Sequence, residues 1–326
     1  LVGRAAGVLG LHEIEGQYLA LARAVRLAFY EQYVTPASRI IGDSATAYAL
    51  ALQFALLPDE KQRQLAGKRL TTLLSANQYR ISTGFVGTPL ICDALCSVGE
   101  YDAAYRLLTQ RGNPSWLYPV TMGATTIWER WDSLLPDGSV NLGEMTSFNH
   151  YALGAVADWL HRTVAGLAPA EPGYRKVMIQ PIPGADLSHA AARFNSPYGL
   201  IESAWKIEDG QFHLQVTLPP NTTGTVTLPG QPGAAPIEIG SGTYQWSIPF
   251  HLKPLTRAPL SMDMRIGELI DYPEAFDRVM NIFRADNFEL TSRLEHQTSL
   301  SLRQVAALMN NPDQVTPLVE ETLERL

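Results

Sequence analysis

The stretch GATTIWERWD, residues 123–132, sets two tryptophans, Trp128 and Trp131, around a Glu129–Arg130 pair behind a run of small and hydroxyl residues. An amphipathic helix spaces its aromatics to leave one polar face, and a strand alternates them; this stretch does neither. Sugar sites combine these residue types. Indole faces stack on the C–H faces of a pyranose, and a carboxylate works on the anomeric carbon or on water. An isolated Glu–Arg neighbour pair is most often a surface ion pair. Here two indoles within two residues make a dry surround that suits a carboxylate to acid or base duty. The stretch also falls between helices, where functional residues are usually displayed.

Other candidates lie nearby in the chain. His150, in MTSFNHYALG, is expected in the first turn of the following helix, where an imidazole caps, packs or donates a hydrogen bond to a sugar hydroxyl. Trp116, in GNPSWLYP, looks exposed among turn residues, and Phe85, in STGFVGTP, is flanked by glycines. Aromatics in such loops serve either as core anchors or as sugar platforms. His161, near a helix end, reads as an interfacial residue. Other chemistries find no support: there is no Gly-x-Ser-x-Gly, Walker loop, paired-Cys motif or His-Glu-x-x-His. No metal or cofactor is expected.

The elements that must position these residues divide into three segments. Residues 1–168 read as helical. Apolar residues recur at helical spacing over 15–34, Ser44 is placed to cap a helix over 44–57, and Pro58 with acidic neighbours opens another over 58–76. Further helices are expected over 87–99, 100–112 and 147–166, without a fixed repeat period. Residues 169–250 are short alternating runs separated by Pro-Gly, Asp-Gly and Asn-Thr-Thr-Gly turns, as in an antiparallel sandwich. In WKIEDGQFHLQV, Asp209–Gly210 suits a type I′ hairpin, and period two puts Trp205 on the inner face with Ile201, Ser203 and Ile207. Residues 251–326 return to helix, in MRIGELI, PEAFDRVMNIFRAD, SLSLRQVAALM and TPLVEETLERL.

Composition narrows the class. The 326 residues are 46% hydrophobic and 17% charged, an ordinary folded composition with room for a sizeable core. A net charge of −7 argues against nucleic acid as a partner. No apolar run approaches a membrane span. Cys92 and Cys96, four apart in an apolar helical pattern, read as buried free thiols and fit a reducing compartment. The opening LVGRAAGVLG has no initiator Met and no signal pattern, and reads like a helix already in progress, so the chain is expected to begin inside a larger protein. The acidic C-terminal helices suggest a homodimer contact.

In order along the chain, GATTIWERWD, MTSFNHYALGAVADWLHRTVAGL, PGYRKVMIQPIPG and NSPYGLIESAWKIEDGQFHLQVTLPPNTTGTVTLPG resemble the C-terminal half of bacterial α-L-rhamnosidases of glycoside hydrolase family 78. The resemblance covers about residues 1–250. It implies the second half of an (α/α)6 catalytic barrel over 1–168 and an antiparallel β-sandwich over 169–250; the helical appendage over 251–326 departs from the family's common pattern. It further implies inverting release of terminal L-rhamnose from glycosides or glycans; with the two lone thiols, a bacterial cytoplasmic setting is expected. Glu129 matches the family's general base, and His150 matches a histidine that contacts the rhamnose. Trp128, Trp131, Trp116 and Phe85 are the expected sugar-facing aromatics. Inversion needs a second carboxylic acid across the ring. The family's acid lies in an Asp-Cys-Pro-containing motif upstream of the base, for which this chain has no counterpart, so the general acid is expected outside it. Two alternatives stand beside this: a non-catalytic carbohydrate-binding or scaffold module, or another (α/α)6 glycosidase acting on glucosides or uronides. An exposed Trp205 is the mark of the first.

Overall fold

Helix starts in the first part of the chain follow capping chemistry. Ser44 Oγ accepts the Ala47 N–H at 3.3 Å to open Ala45–Gln53, and Asp59 Oδ1 accepts the Gln62 N–H at 2.8 Å to open Glu60–Ala76. The computed structural model describes residues 1–185, 187–252, 258–269, 271–294 and 300–326. It divides the chain into two units, Leu1–Leu107 and Leu108–Leu326.

The first unit is helical. Its core is built from Tyr48, Leu52, Leu70, Leu74, Ile91 and Leu95, all at most 2% exposed. Gly67 lets Glu60–Ala76 approach its neighbour, since a Cβ there would fall 2.5 Å from Val98 Cγ2. The 22-residue helix His12–Tyr33, with Glu13 and Glu15 in its first turn, buries none of its residues. Asp43 is clamped by Arg69 at 2.5 and 3.0 Å and by the Tyr48 hydroxyl at 2.9 Å. Those hydrogen bonds, led by Arg69, hold its carboxyl down at about 2. Cys92 and Cys96 are free thiols, and burial pushes the Cys92 thiol up.

The second unit opens with loops around the short helix Leu117–Thr121. The helix expected over 147–166 begins only at Ala152, as a 3₁₀ turn Ala152–Ala155, then Val156–Trp159, closing in a π-turn Leu160–Val164. Residues 147–150 are irregular, bent at Phe148 and Asn149, and the backbone bonds of Ser147 and His150 to residues 127–129 outweigh helix propensity there. Gly166, at φ +77°, then turns the chain into the sheets; a Cβ on it would fall 2.2 Å from Pro181 N.

The sheets comprise β1 (Leu167–Pro169), β2 (Lys176–Ile179), β3 (His189–Ser196), β4 (Gly199–Glu208), β5 (Gln211–Leu218), β6 (Thr223–Val226), β7 (Ile237–Ile239) and β8 (Gly242–Pro249). One sheet runs β1-β2-β6-β7 and the other β3-β4-β5-β8. Pairing is antiparallel except between β2 and β6, which run parallel. The sheets face each other: a Cβ on Gly224 of β6 would lie 2.9 Å from Leu218 Cδ1 of β5. Asp209 and Gly210 both have positive φ, 50° and 72°, as the type I′ turn requires. Trp205 is 3% exposed, stacks on Phe212 and donates from Nε1 to the Val164 carbonyl at 2.7 Å. Ser203 Oγ likewise donates to the Ala165 carbonyl at 2.8 Å, so two inner-face side chains of β4 tie the sheet to the preceding helix end. Trp246, on the edge strand β8, is half-buried and stacks on Tyr244.

The C-terminal helices are Ile266–Leu269, Pro273–Asp286, Phe288–Leu294, Leu302–Ala307 and Pro312–Glu324. Ile266, Val279, Phe283, Leu302, Val305 and Val319 form their core. Ser301 and Gln304 make a reciprocal capping box. Phe288–Leu294 is a helix the sequence patterns did not pick out. Ile270 and Ser299, which the expected helices include, lie outside the described residues.

Candidate active site

The segment between Leu117–Thr121 and Ala152–Ala155 is irregular, and its shape comes from bonds between two distant stretches. Glu129 N–H donates to the Ser147 carbonyl at 2.8 Å, and His150 N–H donates to the Ile127 carbonyl at 2.8 Å. The Thr126 hydroxyl donates to the Phe148 carbonyl. These bonds bring WERW and SFNH alongside each other although 21 residues separate Glu129 from His150.

Glu129 is half-buried and is not paired with Arg130. Arg130 instead forks onto Asp132, from Nε at 2.7 Å and from Nη2 at 3.3 Å, and its Nη1 donates to the Glu144 carbonyl at 3.1 Å. Asn141 Nδ2 donates to the second Asp132 oxygen at 3.1 Å. This clamp fastens the loop around Gly143, where an added Cβ would meet Arg130 Nη1 at 2.5 Å. Among the described residues, the Glu129 carboxylate accepts one hydrogen bond, from the Ser147 N–H to Oε2 at 3.3 Å. A carboxylate held by one backbone donor and left without a cation keeps lone pairs for a water or a hydroxyl. The Arg130–Asp132–Asn141 clamp escaped the sequence patterns; the i, i+2 spacing of Arg130 and Asp132 was its only local signal.

A cavity of about 280 Å³ is walled by Trp116, Trp128, Trp131, Val120, Ile127 and Leu153, and neither Glu129 nor His150 is among the residues that line it. Trp116 meets Trp131 edge-to-face at 6.0 Å, and Trp128 meets Phe148 the same way at 5.4 Å. Trp116 is 9% exposed, not the exposed loop residue expected, because its Nε1 donates to the Leu153 carbonyl at 2.9 Å and draws the ring into the wall. Thus Trp116, Trp128 and Trp131 share one cavity, and Glu129 follows Trp128 directly in the chain. His150 precedes the helix rather than sitting in its first turn, and its Nδ1 accepts the Ala152 N–H at 3.2 Å. Acceptance at Nδ1 puts the neutral ring's proton on Nε2, making that atom a donor. The His150 ring stacks on Tyr151 at 5.3 Å. Phe85 belongs to the first unit, on the loop before Ile91–Cys96, with 38% of its surface exposed.

Four other carboxylates are committed elsewhere. Asp132 is the clamp's anion, Asp59 is a helix cap, Glu60 pairs with Arg63 at 3.3 Å, and Asp43 stays ionised beside Arg69. Among the described residues, no group of three or more His, Cys, Asp or Glu is placed to hold a metal ion.

Residues 1–164 match the model of the bacterial alpha-L-rhamnosidase 6 hairpin glycosidase domain, and residues 166–238 match the bacterial alpha-L-rhamnosidase C-terminal domain. An alpha-L-rhamnosidase of Streptomyces avermitilis is 41% identical over 247 residues, 71% of this chain and 24% of that protein. One of Formosa agariphila is 39% identical over 230 residues, 70% of this chain and 25% of that protein. Among solved structures, native α-L-rhamnosidase from Aspergillus terreus superposes with a TM-score of 0.73 at 42% identity, over 76% of this chain and 28% of that one. The Streptomyces avermitilis enzyme complexed with L-rhamnose superposes with a TM-score of 0.70 at 40% identity, over 76% and 25%. The chain spans about a quarter of the length of the curated relatives it matches.

Proposed function

This chain belongs to the bacterial α-L-rhamnosidases, and on that premise we propose that it supplies the general base and an aromatic wall of the sugar pocket for inverting hydrolysis of terminal α-L-rhamnosides. The observation that carries this is the half-buried Glu129 carboxylate, not paired with Arg130 and next in the chain to Trp128, which walls one cavity with Trp116 and Trp131. Glu129 takes a proton from a water as that water's oxygen bonds to the anomeric carbon from the face opposite the leaving group. A carboxylic acid across the ring gives its proton to the glycosidic oxygen as the C–O bond breaks. The indoles stack on the sugar's C–H faces and keep bulk water away, while His150 Nε2–H donates to a ring hydroxyl.

We place the acid partner outside residues 1–326, in the part of its relatives' length that this chain does not span. Asp43 itself is unsuited to that role, because a carboxyl held at about 2 carries almost no proton near neutrality. The family's printed names favour rhamnosides over glucosides or uronides, and the buried Trp205 removes the aromatic platform that a binding-only module would display.

The test is the first-formed anomer. The full-length enzyme acting on an aryl α-L-rhamnoside, followed by proton NMR, is expected to release β-L-rhamnose before mutarotation. Initial release of the α-anomer would overturn the general-base role, since Glu129 would then act as a nucleophile. Residues 1–326 alone are expected to leave the substrate intact, with turnover restored by the upstream half added in trans. Turnover by the chain alone would place the acid within it.

A further inference from the structure

The outer face of the β3-β4-β5-β8 sheet carries a hollow of about 510 Å³, larger than the one beside Trp128. Register explains its shape. Ala191 and Ala204 stand opposite each other on β3 and β4 and form a low floor, and the same row continues as Gln215 and Gln245 on β5 and β8. The adjacent row sets Lys206, His213 and Ser247 side by side. Four strands at about 4.8 Å spacing make these rows roughly 14 Å long, enough for a short linear ligand.

The polar ends are pre-oriented by one another. Gln245 Nε2 donates to Gln215 Oε1 at 3.1 Å, and His213 Nδ1 bonds the Ser247 hydroxyl at 2.8 Å. A carboxamide pair joined by one N–H···O bond always presents one amide NH₂ and one carbonyl, whichever way both groups are flipped. A donor beside an acceptor matches two neighbouring hydroxyls, each of which both gives and accepts. The charge is balanced as well. Lys206 is paired with Glu208, whose carboxyl that ammonium holds below its ordinary range. The hollow therefore offers no net field to attract a phosphate or a polyanion.

We propose that this sheet face binds a neutral oligosaccharide, holding a glycan on the enzyme at a place apart from Glu129. The proposal rests on the glycosidase reading for its choice of a sugar ligand, and its test needs no turnover. The 326-residue chain is run on native gels cast with a neutral rhamnan, with dextran sulfate as the anionic probe. The rhamnan is expected to retard the wild-type chain and dextran sulfate to leave it unretarded. The double variant Gln215→Ala/Gln245→Ala should raise the apparent Kd for rhamnan at least tenfold with an unchanged unfolding midpoint. Ala204→Arg, which fills the floor, should do the same. Unretarded wild type, equal retardation of the double variant, or stronger retardation by dextran sulfate would each overturn the proposal. Turnover of a small aryl rhamnoside by the full-length enzyme reads Glu129 alone, so a failure there leaves the gel result standing.

Discussion

The segment from residue 112 to 151 and the paired sheets from 167 to 249 are held together in opposite ways. The sheets are closed by backbone ladders and an inner face of Ile201, Trp205, Phe212, Leu214 and Val216, so nearly every residue of β4 and β5 is placed by its neighbours. Among the described residues the site segment has no strand ladder, only the isolated bridge Leu134–Val140 and two backbone bonds joining residues 127–129 to 147–150. Side chains bonded to distant backbone define it: Trp116 to Leu153, Tyr118 to Leu134, Thr126 to Phe148 and Arg130 to Glu144. In the sheets, residue identity governs stability. In the site segment, single side chains are released from packing and are available for chemistry, at the expense of a backbone that depends on a few clamps. The two regions should therefore respond to substitution along different axes.

The sharpest separation is expected at Glu129. Glu129→Gln in the full-length enzyme should lower kcat about 10³–10⁴-fold, the general-base contribution, with the unfolding midpoint unchanged. Loss of an isolated half-buried carboxylate that accepts one backbone bond removes little from the fold. A variant retaining more than a tenth of wild-type kcat on an aryl rhamnoside would remove Glu129 from the role.

Trp205 is the converse. Deleting a fully buried indole that also satisfies the Val164 carbonyl should cost about 3–5 kcal/mol by chemical denaturation. The folded fraction of Trp205→Ala should turn over at the wild-type rate. A change in kcat per folded molecule would mean that the sheets and the site segment are coupled, and the contrast would weaken.

Asp132 tests the middle ground, a structural residue inside the site. Asp132→Ala frees Arg130 and Asn141 and loosens the loop that carries Ser147, whose N–H orients Glu129. Misplacing a catalytic group by about an ångström costs roughly 10- to 100-fold in kcat. Asp132→Asn, which keeps one acceptor for the fork, should recover part of it. A stability loss without a kcat effect would show the clamp to be structural only.

The same division decides what the sequence could disclose. Ser44 as a cap, Asp209–Gly210 as a type I′ turn and Trp205 on the inner face are local or period-two signals, and the structure bears them out. Partners chosen over long separations were out of reach. The parallel β2–β6 pairing is settled by which strand arrives alongside, not by either strand's pattern. Residues 147–150 follow a helical pattern in sequence yet are held out of the helix by bonds to residues 127–129. Trp116 looked exposed because its loop context is polar, while the bond that buries it comes from Leu153, 37 residues on. Within the site, residue types were legible because chemistry restricts them; the Arg130–Asp132–Asn141 clamp was not, since surface ion pairs of those types are common everywhere.

His150 gives the smallest and most discriminating effect. Its ring sits at the junction of the two regimes: the backbone N–H is paired to Ile127, while Nδ1 serves the Ala152 N–H at the start of the 3₁₀ turn. If the ring were only a cap, His150→Ala would cost about 1 kcal/mol of stability and nothing in binding. As a sugar contact, its Nε2–H forms a neutral hydrogen bond worth about 0.5–1.5 kcal/mol, so losing it should raise KM up to about tenfold and leave kcat within a few-fold. Asparagine at this position separates the two. It caps a helix start as well as any residue, but its shorter side chain does not reach where Nε2 points. His150→Asn should therefore restore the unfolding midpoint and keep the raised KM. Recovery of both together would make His150 a cap alone, and would move the sugar-binding duty entirely onto the tryptophan wall.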